Sequence, residues 1–82
     1  MVYSFNVGIA DGLHARPCAK LVDILSGFTP LQITGNGKTI NTLSILELLL
    51  LKIPHGSEVK ISSEIPLPNE TIDKLTQLFG GE

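Results

Sequence analysis

Eighty-two residues, 43% apolar and 17% charged, suit one globular domain with a modest core and argue against a disordered chain. A net charge of −2 without a basic cluster argues against nucleic acid as the main partner. A single cysteine forbids an internal disulfide, and the longest apolar run, Leu48 to Leu51, is far too short for membrane insertion.

The first residues lack the basic start and apolar core of a secretory signal, and a reducing, cytoplasmic setting is the expectation. Between Val2 and Ile9, the residues Tyr3, Phe5, Val7 and Ile9 share one parity, which predicts a strand with one apolar face. Asp11-Gly12 is a turn signal. From Ala15 the period changes. Ala15, Cys18, Ala19, Leu21, Val22 and Leu25 fall at helical spacing, and Gly27 marks the expected stop. Leu31 and Ile33 alternate with Gln32 and Thr34, a short half-buried strand. Gly35-Asn36-Gly37 is a tight-turn signal, with Lys38 to Asn41 returning and Ile40 inward.

Thr42 or Ser44 can cap the second helix. There Ile45, Leu46, Leu48, Leu49, Leu50, Leu51 and Ile53 run almost all the way round until Pro54 ends the segment. One face can pack on a sheet, and the others must be exposed or dock on something. Val59 and Ile61 mark a fourth strand, and Ile65-Pro66-Leu67-Pro68 is extended by its prolines. Asn69 is the expected cap of a last helix with Ile72, Leu75, Leu78 and Phe79 inside and Gly80 at its end. The order β-α-β-β-α-β-α, without repeat or linker, predicts an α+β fold over a single domain, 1–82. Its simplest form is an antiparallel sheet with all helices on one face.

The chemistry concentrates in Asp11-Gly12-Leu13-His14-Ala15-Arg16-Pro17-Cys18-Ala19-Lys20. Pro17 suits the first turn of a helix, so the helix should begin near Ala15. His14 then lies where unpaired backbone N–H groups attract anions, phosphate above all. Arg16 adds a planar fork of donors matched to phosphate oxygens. A cation is unfavourable at that end of a helix, so its presence suggests use. Together the three features read as a place to put a phosphoryl group on histidine. Against this stands the ordinary case of a solvated surface histidine and a solvated arginine.

Gly12-Leu13-His14-Ala15-Arg16-Pro17 resembles the active-site signature of the HPr family, the histidine-containing phosphocarriers of the bacterial phosphotransferase system. Gly27-Phe28, Asn36-Gly37-Lys38, Leu43-Ser44-Ile45-Leu46 and Gly56 fall at spacings like the family's, so the resemblance covers nearly all of the chain. It implies an open-faced β-sandwich, a four-stranded antiparallel sheet of order 1-4-2-3 with three helices on one face. It also implies that His14 accepts a phosphoryl group, derived from phosphoenolpyruvate, from enzyme I and passes it to EIIA-type acceptors for sugar uptake. Arg16 would neutralise the phosphate, with Gly12, Ala15 and Pro17 supporting the site and no cofactor needed. The resemblance implies Nδ1 of the ring as the acceptor atom; the residues themselves leave the nitrogen open. Such a carrier is a monomeric relay rather than an enzyme.

Ser44 lies where many Gram-positive members carry a serine phosphorylated by HPr kinase/phosphorylase; by residue type alone it reads as an N-cap. Ile45 and Leu46 match the family's apolar docking positions, with core packing the alternative for Ile45, and Lys20 remains as a docking cation. Leu43, Glu47, Asp23 and Ser26 stand where many relatives place lysines, so steering of enzyme I should be weaker. The signature followed by Lys20-Leu21 also resembles the nitrogen-branch, NPr-like type. That leaves open a regulatory module whose phosphorylation state controls partner proteins. Lys52 replaces a glycine common before the Pro54–Gly56 turn, which predicts a turn of different shape. Cys18 reads as a small core residue rather than a redox brake on His14, and His55 as a solvated turn residue. No Cys/His/Asp spacing suggests a metal, and no carboxylate or serine is spaced near His14 for a hydrolytic triad.

Overall fold

The computed structural model describes residues 1–41 and 43–81. Seven elements follow in order: β1 (Val2–Asn6), α1 (Ala15–Leu25), β2 (Leu31–Gly35), β3 (Lys38–Ile40), α2 (Ile45–Leu50), β4 (Glu58–Ser63) and α3 (Asn69–Phe79). The strands form one antiparallel sheet of order β1-β4-β2-β3. Register follows the side-chain alternation. Phe5 pairs with Val59, Tyr3 with Ile61 and Ile61 with Ile33, so apolar residues meet on one face. Against that face lie Cys18, Leu21 and Leu25 of α1, Leu48 of α2, and Leu75, Leu78 and Phe79 of α3, all buried. Phe5 and Phe79 stack with ring centroids 5.2 Å apart, tying the edge strand to the last helix. The opposite face carries Ser4, Gln32, Glu58 and Lys60, exposed, which places all three helices on one side. No helix among the described residues is long and apolar enough to cross a membrane.

The β2–β3 turn is the tight one that the sequence predicts. Asn36 and Gly37 both take positive φ, 53° and 76°, which matches the twist of the flanking strands. Elsewhere the boundaries move. The first strand stops at Asn6 rather than Ile9, because Val7 leaves the ladder to pair with a loop. Its amide donates to the carbonyl of Ser57 at 2.9 Å and its carbonyl accepts from Gly56 at 2.7 Å. In α1 the expected stripe is rotated: Ala15 and Ala19 are exposed, while Pro17 is buried and Ile24 half-buried. The helix lies between α2 and α3 and packs on both. Gly27 is no left-handed cap; Ser26 closes α1 in a right-handed conformation.

The second helix is shorter than its leucine run. It ends at Leu50, and Lys52 turns the chain away at φ 51°. Leu51 and Ile53 are nonetheless buried, so their apolar character serves the core without helix. Ser44 caps this helix, its hydroxyl accepting from the amide of Glu47 at 3.4 Å. The alternative cap, Thr42, lies outside the described residues. For α3 the expected cap is displaced by one position. Pro68 occupies the N-cap, Asn69 is already helical, and no side chain caps the end.

Candidate functional site

Everything about the His14 loop starts from Gly12. Its φ is +73°, and its amide donates to the carbonyl of Ile9 at 2.9 Å. Leu13 follows with its side chain buried and its amide bonded to the carbonyl of Ile53 at 2.9 Å. The turn is thereby fixed on both sides, and His14 emerges at the N-cap of α1 with extended backbone, φ −103° and ψ −167°. Its carbonyl accepts from Cys18 at 3.0 Å, the first turn of the helix. The imidazole makes no capping hydrogen bond and is exposed.

At this helix end the donors can be counted. Pro17 has no N–H, and the amide of Cys18 is used by the His14 carbonyl, which leaves the amides of Ala15 and Arg16 without a partner among the described residues. No acidic residue sits in the first turn to cancel the positive end of the helix dipole. Arg16 is exposed, and the ion pairs found among the described residues, Lys60–Glu58 and Lys74–Glu70, lie elsewhere. His14, Arg16, Pro17 and Lys20 line one open cleft of about 280 Å³ with Asp11, Leu78 and Gly81. Residues bearing an imidazole, a guanidinium and an ammonium therefore line one shallow, solvent-facing space, with the Asp11 carboxylate among them.

A family model described as "PTS HPr component phosphorylation site" matches residues 3–80. The chain belongs to the HPr family. The phosphocarrier protein HPr of Chlamydia trachomatis serovar D is 28% identical over 76 residues, 92% of this chain and 70% of its own length. Among solved structures, the HPr of Thermoanaerobacter tengcongensis superposes with a TM-score of 0.76 at 30% identity, covering 96% of this chain and 90% of that one. The phosphocarrier protein HPr of Bacillus anthracis strain Ames gives the same TM-score of 0.76 and 30% identity, over 96% and 95% of the two chains. The HPr sheet order and the placement of three helices on one face are those found here. Phosphoryl carriage in the phosphotransferase system is the function of this HPr-type chain.

The remaining sequence candidates lie outside the cleft. Ile45 and Leu46 are 42% and 65% exposed, so neither is spent on the core. Leu50, one turn on from Leu46, is 54% exposed and extends the same apolar patch; the sequence reading placed it in the helix without singling it out. Ser44 is half-buried, engaged as the helix cap. Cys18 is fully buried, and its thiol points at the Leu13 carbonyl, 3.8 Å away. Burial pushes that thiol up to about 11, which makes it a poor redox group at neutral pH. His55 is exposed in its turn, and among the described residues no group of three metal-ligating side chains occurs.

Sequence reasoning missed three contributors. Leu78 and Gly81 bring the end of α3 to the cleft, although Leu78 reads only as core and Gly81 carries no side-chain signal. Ile53 supports the His14 loop through a main-chain carbonyl, which leaves no side-chain pattern to find.

Proposed function

We propose that His14 is the residue that bears the phosphoryl group. The observation that carries this is the ring's position: exposed, making no capping hydrogen bond, at the amide end of α1, and sharing its cleft with Arg16 and Lys20. The neutral ring attacks the phosphorus of a phosphohistidine on the donor. A P–N bond forms to His14 as the donor's P–N bond breaks, and that electron pair returns to the donor nitrogen. The reverse sequence delivers the group to an acceptor histidine. Charge on the phosphoryl oxygens is met by the Arg16 fork and by the amides of Ala15 and Arg16. Gly12 and Pro17 shape the loop and the helix start that make this possible. The site is open rather than enclosed, which suits a group that must be handed on.

In this reading enzyme I is the donor and EIIA-type proteins are the acceptors. The chain works in the cytoplasm as one monomeric carrier domain, consumes no cofactor and turns over no small molecule. Ile45, Leu46 and Leu50 form the apolar docking patch, and Lys20, which lines the His14 cleft, is the docking cation. Ser44 is accessible in part, and a phosphate there would sit at the start of α2 beside the patch. Incubation with ATP and HPr kinase/phosphorylase should then label Ser44; an unlabelled Ser44 leaves it a helix cap alone.

A second reading is favoured by one observation: the docking helix carries Glu47 and no lysine. A protein with that surface suits a nitrogen-branch, NPr-like role in which the phosphorylated state regulates partners. Enzyme I and phosphoenolpyruvate, followed by a panel of acceptors, separate the two. Onward transfer to sugar-specific EIIA proteins supports the carrier for uptake. Label that stays on the chain supports the regulator.

A further inference from the structure

Asn36 stands at the tip of the β2–β3 hairpin in the left-handed conformation, φ 53°. Glycine would serve that turn equally well, so the turn alone does not require the side chain. The side chain is engaged elsewhere. Its Nδ2 donates to the carbonyl of Leu51 at 2.9 Å and to that of Lys52 at 3.3 Å. These carbonyls close α2, and Lys52 is itself held at φ 51°. The next residue, Ile53, is buried, and its side chain is wedged against β2: a Cβ on Gly35 would stand 2.5 Å from its Cδ1. The carbonyl of Ile53 then accepts the Leu13 amide at 2.9 Å, and a Cβ on Gly12 would lie 2.6 Å from the same oxygen. The hairpin thus holds segment 51–53 by its backbone and by its side chain, and that segment is the floor beneath the two residues preceding His14.

We propose that Asn36 is a positioning residue for phosphoryl transfer. Through the carbonyls of Leu51 and Lys52 it fixes Ile53, and through the Ile53 carbonyl it fixes the direction in which His14 leaves its turn. The inference rests on the reading of His14 as the phosphoryl-bearing residue. In-line displacement at phosphorus depends steeply on the approach of the attacking nitrogen, and small displacements of a reacting atom are felt in rate. Among the described residues the hydrogen bonds of the Asn36 side chain go to the Leu51 and Lys52 carbonyls and not to His14 or the side chains of the α2 patch, so its loss should alter the chemical step more than docking.

Three variants test this. Asn36→Gly keeps a left-handed turn and removes the donors. Asn36→Asp keeps the shape but sets an acceptor-only side chain against two carbonyl oxygens. Thr39→Ala breaks the 2.8 Å hydroxyl contact between Thr34 and Thr39 in the same hairpin and leaves the tie intact. Phosphoryl acceptance from enzyme I with phosphoenolpyruvate is measured as maximum rate and apparent KM, with amide spectra of each variant. Both Asn36 variants should lose maximum rate by roughly threefold to tenfold while apparent KM stays within about twofold, the pattern of a misplaced reacting group. The Leu13 and His14 amide resonances should move with them, and Thr39→Ala should match the wild type in rate. Wild-type maximum rate in Asn36→Gly, or an equal loss in Thr39→Ala, would overturn the proposal. A wild-type chain that takes no label on His14 would overturn the His14 reading, and this inference with it.

Discussion

A Cβ built on Gly12 would stand 2.6 Å from the carbonyl oxygen of Ile53 and 3.1 Å from the Cα of Pro54. Both obstacles are backbone and cannot swing aside. At φ +73° any side chain is also strained in itself. Gly12→Ala should therefore lower stability by about 2 kcal/mol or more. Gly37, at φ 76° with open space where a Cβ would go, is the comparison. Gly37→Ala should cost only the conformational part, about 1 kcal/mol. Urea unfolding of the two variants checks the difference, and equal losses would contradict the close packing at Gly12.

Lys52 holds a left-handed conformation that most residues avoid. Replacing it with glycine removes about 1–2 kcal/mol of strain and adds about 0.5–1 kcal/mol of chain entropy loss. Lys52→Gly should thus raise the urea midpoint slightly, by roughly 0.5 kcal/mol in stability. A lowered midpoint would show that Lys52 is favoured there for some contact of its own.

Cys18 provides a pH test. Burial raises its thiol from 9.0 to about 11, so folding favours the protonated form. That contribution is present in full below pH 9.0 and is lost as pH rises through about 11. Wild-type stability should fall faster than that of Cys18→Ala across this window. At neutral pH a thiol reagent should reach Cys18 only as fast as the chain opens. Rapid modification of the folded protein would contradict its burial.

Arg16→Lys keeps a positive charge at the cleft and removes the bidentate fork. Transfer should slow by roughly threefold to tenfold, with the unfolding midpoint unchanged within about 0.5 kcal/mol because the residue is exposed. An unchanged transfer rate would leave Arg16 a solvated helix-start charge.

Much of this molecule could be read from residue order. Strand parity placed Ile33, Val59 and Ile61 inside, and Asn36-Gly37 announced its turn, because both signals are local. Gly12 and Pro17 mark the start of α1 for the same reason, and His14 stands at that helix end. What was illegible is what depends on distant partners. The leucine run continues at helical spacing through Ile53, so nothing local stops α2 at Leu50. The stop coincides with the left-handed Lys52 and with the grip of Asn36 on the two carbonyls before Ile53. Pro68 displaces Asn69 from the cap of α3, although asparagine is the better capping residue. The rotation of the α1 stripe follows from its two helix neighbours, which no single-helix periodicity contains.

Phosphoryl labelling of the intact chain and of His14→Ala, using enzyme I and labelled phosphoenolpyruvate, decides whether the exposed imidazole at the start of α1 bears the group. The wild type should take one acid-labile, base-stable phosphoryl group on the His14 ring, and His14→Ala, folded as judged by its unfolding transition, should take none. Label retained by His14→Ala would contradict the account, because the group would then sit on a residue other than the exposed imidazole at the start of α1.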